Sequence, residues 1–170
     1  PKRKTRASIA KEKGLEPLAE AFMSKVVTAS PEELAKEYLD PEQKLASIED
    51  VLSGARDIVA EIVSDDASIR KIVRNIVWKE GYISTKAVDK EAITPYEMYY
   101  EYEEPIKKLP PHRTLAINRG ENEKALQVKV NQPEEEIIGK IEEKYLPQSS
   151  PTCNNQVVMA IKDGYKRLIS

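Results

Sequence analysis

One histidine, His112, and one cysteine, Cys153, stand in a chain of 170 residues. They can furnish neither a four-ligand zinc set nor an internal disulfide. His112 has no serine or cysteine motif to serve, no GxSxG turn or phosphate-cradling glycine loop occurs, and no carboxylate pair falls in a recognisable catalytic arrangement. The expectation is a protein that is not an enzyme and holds no cofactor or metal. What remains with chemistry to do is basic. Lys2, Arg3, Lys4, Arg6, Lys11 and Lys13 are opposed only by Glu12 in the first thirteen residues, and each cation that neutralises a phosphate releases counterions. Arg70, Lys71 and Arg74 lie on a predicted helix and suit a groove-facing helix. His112 and Arg113 fall in the first turn of another, where free amides and the helix dipole attract anions, and Arg119 falls at its far end.

Each cluster also has a purely structural reading. The basic start is equally a solvated arm, or a helix paired with the acidic block from Tyr96 to Glu104, where Glu97, Glu101, Glu103 and Glu104 meet no base. The Arg70–Arg74 face reads first as the polar side of a buried stripe, because Asp65 and Asp66 before it would repel a phosphate backbone. Around His112, Pro110-Pro111 would start a helix and Gly120 end it, with Leu115, Ala116 and Ile117 packing. The tyrosines Tyr96, Tyr99, Tyr100 and Tyr102 could stack on bases, but proline and acidic neighbours favour a place at the rim of a core.

The elements that position these residues are mostly helical. Ser47 with Asp50 resembles a capping box. After it Ile48, Val51, Leu52, Ala55, Ile58, Val59, Ile62 and Val63 follow one face of a 3.6-residue period. Ser64-Asp65-Asp66 breaks the run, and Ile69, Ile72, Val73, Ile76 and Val77 repeat it up to Gly81, which suits a left-handed cap. This pair from Ser47 to Gly81 is the predicted core. Ahead of it come a short basic helix from Arg6 to Lys13 stopped by Gly14, and a helix entered at Pro17. Next is one capped by Ser30 with Pro31 at its first position. After it, Tyr82–Ser84 and Lys86–Val88 read as brief extended pieces that could pair as a hairpin wing, and Ala125–Val130 alternates as a strand. Pro133 opens a helix with Ile137, Ile138, Ile141 and Tyr145, Leu146–Pro151 reads as a linker, and a last helix carries Val157, Ile161 and Tyr165.

Several stretches, taken in order, resemble the Tex family of bacterial transcription accessory proteins. They are the basic start with Glu12–Ala19, the run AKEYLDP at Ala35–Pro41, Gly54–Ile58, and Glu104-Pro105. They continue with His112-Arg113, Leu115-Ala116, Arg119–Glu121, Ser150–Cys153 and Asp163–Leu168. The segment from Ala87 to Glu97 departs from that family's pattern. The resemblance implies an N-terminal and central helical region with a helix-turn-helix. It would precede a ribonuclease H-like domain, helix-hairpin-helix repeats and an OB-fold RNA-binding domain that this chain does not contain. It also implies kinship with a eukaryotic elongation factor and association with nucleic acid. A start without methionine and an end on a helical pattern agree with a piece of something longer.

The combined expectation is a mostly all-α, multihelical bundle containing a helix-turn-helix, with at most a few short strands. Residues 1–146 would form the helical region, and 147–170 a linker and amphipathic helix. Its function would be that of a nucleic-acid-associated scaffold making non-specific phosphate contacts and positioning downstream RNA-binding domains. The alternative is a protein-interaction platform for transcription machinery or neighbouring domains. The contacts would be made by Lys2, Arg3, Lys4, Arg6, Arg70, Lys71, Arg74, His112, Arg113 and Arg119. No apolar run nears the roughly 20 residues that cross a bilayer, no small-molecule substrate is implied, and reduced cysteine fits the cytoplasm.

Overall fold

The computed structural model describes residues 5–169. The order of elements is α1 (Arg6–Glu12), α2 (Glu16–Phe22), α3 (Pro31–Lys36), α4 (Ile48–Asp65), α5 (Ala67–Glu80), β1 (Tyr82–Ala87), β2 (Glu101–Pro105), α6 (Pro111–Asn122), β3 (Leu126–Asn131), α7 (Glu134–Tyr145) and α8 (Asn154–Ile169), with short 3-10 turns between some of them. The fold is mostly helical, as the periodicity predicts. Two compact units are formed, Pro1–Arg70 with Ile138–Ser170 and, inserted between them in sequence, Lys71–Ile137.

In the first unit α4 is the axis on which α1, α2, α3 and α8 pack. Its N-terminus carries the full capping box: Ser47 Oγ accepts from the Asp50 amide (3.1 Å) and Asp50 accepts from the Ser47 amide (3.3 Å). Val51, Leu52, Ala55, Ile58, Val59 and Val63 are buried as the spacing predicts, whereas Ile62 is 41 % exposed. Close helix approach depends on missing side chains. A Cβ on Gly54 would run into Leu15, and one on Gly164 of α8 would lie 3.0 Å from the Ala60 carbonyl oxygen. Gly14 takes the left-handed conformation (φ 81°) that ends α1. Ser30 caps α3 with Pro31 in its first turn. The last helix packs back onto α4. In place of a plain linker before it, the chain makes two 3-10 turns, Leu146–Gln148 and Pro151–Cys153, and buries Ser149 and Ser150. Ser150 and Thr152 donate to the carbonyls of Val27 and Ala29 (2.7 Å each), which anchors this segment to the loop before α3.

The second unit holds an antiparallel sheet of order β2-β1-β3. β1 is a single central strand, not one arm of a hairpin. It pairs from Tyr82 to Lys86 with β2 and from Tyr82 to Ala87 with β3. The acidic, tyrosine-rich stretch that gave no strand signal supplies β2. Its alternation of Tyr102 and Glu104 inward with Glu101 and Glu103 outward hides a half-buried strand behind charge. One face of the sheet is covered around Tyr99, Ile117 and Leu126, with Ile83, Leu109 and Val128 against them. Tyr99 and Tyr102 meet edge to face at 5.3 Å, and buried Thr85 donates to the Tyr99 carbonyl at 2.6 Å. The tyrosines are thus part of this core and its rim.

Two glycines act differently from their sequence reading. Gly81 closes α5 by donating to the Val77 carbonyl (2.8 Å) without entering the left-handed region. Its need for glycine is steric, because a Cβ there would strike that carbonyl. Gly120 lies inside α6 beneath Leu126, the helix runs on to Asn122, and Lys124 (φ 62°) makes the left-handed turn.

Candidate nucleic-acid interface

Helix α5 is capped by Asp66, whose carboxylate accepts from the amides of Ser68 (2.9 Å) and Ile69 (3.3 Å), so the sequence break at Ser64–Asp66 is a true N-cap. The same carboxylate accepts from the Tyr145 hydroxyl and from Lys144 of α7. Burial pushes the Asp66 carboxyl up. The bonds from Lys144, Tyr145, Ser68 and the Ile69 amide outweigh that and hold it well below the usual carboxylate range. Asp66 is therefore an anchored structural anion. Arg70 is turned back on the preceding helix, with Nε 2.7 Å from the Ser64 carbonyl and Nη2 3.4 Å from Asp65.

Beyond Arg70 the helix separates its faces cleanly. Successive residues advance about 100°, so Lys71, Arg74, Asn75 and Trp78 fall within one arc of about 100°, opposite Ile72, Val73, Ile76 and Val77. All four are exposed, Trp78 to 57 %. From Ala67 to Lys79 the chain carries four bases, Arg70, Lys71, Arg74 and Lys79, and no acid. Past Gly81 a hollow of about 510 Å³ is lined by Lys79, Tyr82, Lys107 and Lys108, together with Glu80, Glu103 and Glu104. Trp78, Lys79, Lys107 and Lys108 are not among the ten residues predicted from the sequence. The available signal was a lone tryptophan falling on the polar arc of a patterned helix.

On α6, Arg113 donates to Glu104 (2.8 and 2.9 Å) and to the Tyr102 hydroxyl (2.8 Å), and Tyr102 donates to Glu104 at 2.5 Å. The Tyr102 hydroxyl, followed by Arg113, holds the Glu104 carboxyl below its ordinary value. Arg113 thus joins α6 to β2. Its neighbour His112 is exposed, as is Arg119, and both share the outer side of α6 with Leu115.

In the first unit Arg6 reaches Asp57 (3.9 Å) and Asp163 (3.4 Å), and Arg167 reaches the same two carboxylates at 3.6 and 2.9 Å. Burial raises the Asp57 carboxyl despite Arg6 and Arg167. Arg56 bridges Glu49 (2.5 Å) and Gln156 of α8 (2.6 Å), which is a structural use of the Arg56-Asp57 pair. Lys2, Arg3 and Lys4 lie outside the described residues. The ten predicted bases therefore sort into groups. Arg6, Arg70 and Arg113 are engaged internally, Lys71 and Arg74 share one exposed strip, and His112 and Arg119 share another. No group of three or more metal-binding side chains occurs among the described residues, and no described helix is long and apolar enough to cross a membrane.

The chain matches a family model described as Tex central region-like over residues 27–158. It is 40 % identical over 171 residues to protein YdcI of Bacillus subtilis (strain 168), covering 99 % of this chain and 24 % of that protein. It is 33 % identical over 177 residues to the transcriptional accessory protein Tex of Neisseria gonorrhoeae, covering 99 % of this chain and 21 % of the relative. Against the human S1 RNA-binding domain-containing protein 1 the identity is 30 % over 181 residues, or 97 % of this chain and 18 % of that protein. The chain thus spans a quarter or less of the length of these relatives. With the central-region match covering most of its residues and the segments outside it aligned as well, the chain belongs to the Tex family.

Proposed function

We propose that this chain is a helical, nucleic-acid-associated scaffold module of a Tex-type transcription accessory protein. It makes non-specific phosphate contacts, performs no chemistry of its own, acts in the cytoplasm and positions RNA-binding domains encoded beyond it. The observation that carries this reading is the strip of Lys71 and Arg74 on α5, exposed and outside the ion pairs that engage Arg6, Arg70 and Arg113. His112 and Arg119 on α6 supplement it, as do Lys2, Arg3 and Lys4 at the start of the chain. A relative named for an S1 RNA-binding domain supports the partner class. Helix α4 serves as frame first, since it is covered by four other helices.

The test is a titration of the chain against labelled single-stranded RNA and duplex DNA over a range of salt. Affinity falls steeply with salt, and alanine at Lys71 and Arg74 lowers the slope by about one for each phosphate contact removed. Absence of binding at low salt sinks the reading. A second reading, a docking platform for transcription machinery, is favoured by the connection from β1 to β2, which exposes Val88, Ile93 (93 %) and Met98 (69 %).

A further inference from the structure

Trp78 is the chain's single tryptophan, yet it is 57 % exposed. Tryptophan is highly buried on average, and here the apolar side of the same helix is supplied by Ile72, Val73, Ile76 and Val77. The indole belongs instead to the arc of Lys71, Arg74 and Asn75. Arg74 precedes it by one helical turn, about 6 Å along the axis. Lys79 follows it directly, and Tyr82, 39 % exposed, lies beyond at the hollow with Lys107 and Lys108. Of the acids lining that hollow, Glu104 is held by Arg113 and Tyr102. The arc itself contains none.

We propose that Trp78 stacks on an unpaired base of a single-stranded nucleic acid while Arg74 and Lys71 contact its phosphates. This deepens the phosphate-binding reading above and rests on it, adding the strand type and the residue that selects it. A flat apolar ring between cations matches a ligand that alternates flat rings with anions. An acidic peptide would use the cations and leave the indole in water. In a duplex both faces of each base are covered by its neighbours, so the indole could stack only by unstacking a step. In a single strand the base face is open, and stacking of this kind tolerates any sequence.

Because Trp78 is the only tryptophan, its fluorescence reports this position alone. The chain is titrated with oligo(dT) and oligo(U) of about 12 nucleotides, with a duplex of equal charge, and with poly-glutamate. Binding is followed both by anisotropy of the labelled ligand and by Trp78 emission. Both single strands should quench Trp78, and the duplex and poly-glutamate should not. Trp78→Ala should weaken single-strand binding about 5- to 150-fold and leave its salt slope unchanged. Trp78→Phe should recover part of the loss, and circular dichroism checks that both variants fold. The double variant of Lys71 and Arg74 to alanine should instead lower the slope. Salt-dependent strand binding with no quenching, and with Trp78→Ala as tight as wild type, refutes stacking and leaves the phosphate reading standing. Equal quenching by poly-glutamate refutes the single-strand assignment and points to an acidic protein partner. No binding of any strand overturns both.

Discussion

Asp66 is the residue whose loss should be felt furthest, because one carboxylate performs three structural tasks. It caps α5 through the Ser68 and Ile69 amides, accepts from the Tyr145 hydroxyl, and pairs with Lys144. Removing an N-cap costs about 1 kcal/mol. Tyr145 is only 7 % exposed, so its hydroxyl would lose its partner with little water to replace it, at about 1–3 kcal/mol. Lys144 is 38 % exposed and rehydrates, which adds little. Asp66→Ala should therefore destabilise by about 2–4 kcal/mol, read as the shift of the urea midpoint in far-UV circular dichroism. Asp66→Asn keeps a capping oxygen and should cost distinctly less. The pH dependence has a definite sign. The folded carboxyl lies below its unfolded value, so its contribution is complete above the ordinary carboxylate range near pH 4 and is lost as pH falls below it. Asp57 works in the opposite sense: burial raises its carboxyl, so its contribution is complete at low pH and is lost as pH rises through its folded value. Asp66→Asn should thus flatten the acid-side loss of stability, and Asp57→Asn should not. A cost under about 0.5 kcal/mol for Asp66→Ala, or an unchanged acid profile in Asp66→Asn, would show that the hub does not hold α5 to α7.

Three further outcomes follow from the packing. Ile58 is 1 % exposed on the buried face of α4, so Ile58→Ala should cost about 2–5 kcal/mol in chemical denaturation; a near-neutral result would contradict the core assignment. Gly164→Ala places a Cβ 3.0 Å from the Ala60 carbonyl oxygen and 3.2 Å from Val63. Overpacking of about 1–3 kcal/mol should outweigh the gain of about 1 kcal/mol in helix propensity, lowering the thermal midpoint, and a raised midpoint would mean that α8 sits further from α4. In Arg113→Ala and in Tyr102→Phe the Glu104 carboxyl, monitored by carbon NMR, should titrate higher than in the native chain, because each variant loses a hydrogen bond donated to the carboxylate. An unchanged titration in either variant would show that its hydrogen bond does not act on Glu104.

Helices were legible because their signals are local. The capping box at Ser47, the cap at Ser30 and the stripe from Val51 to Val63 each lie within a few turns of chain, and each forms as read except at Ile62, which is exposed. Strand β2 was illegible for a physical reason. It is half-buried on one face only, two of its outward positions are glutamates, and its inward Glu104 is satisfied by Arg113 and Tyr102, so no apolar run marks it. The role of β1 was hidden in the same way, since a six-residue strand becomes central only when two distant segments pair with it. Gly81 and Gly120 look alike in sequence, as glycines after a patterned run. One makes room for a carbonyl and the other for Leu126, and neither requirement can be seen without the neighbour.

The same limit governs the candidate site, and the arginines make it concrete. A guanidinium presents a planar fork that fits a carboxylate as well as a phosphate, so an arginine is open to a nucleic acid only where the fold brings no carboxylate to it. Arg6 and Arg167 meet Asp57 and Asp163, Arg56 meets Glu49, Arg70 meets Asp65, and Arg113 meets Glu104. Three of these pairings, Arg6 with Asp57 and with Asp163 and Arg167 with Asp57, join residues more than fifty positions apart, and no charge count over a window could have found them. Among the described residues Arg74 meets no carboxylate, since the sequence around it, from Ala67 to Lys79, contains no acid and the acids at the head of α5 are already claimed, Asp66 by Lys144 and Tyr145 and Asp65 by Arg70. The pairing of Asp65 with Arg70 and of Asp66 with Lys144 and Tyr145 offsets part of the repulsion that these acids would exert on an anion at the outer face of α5.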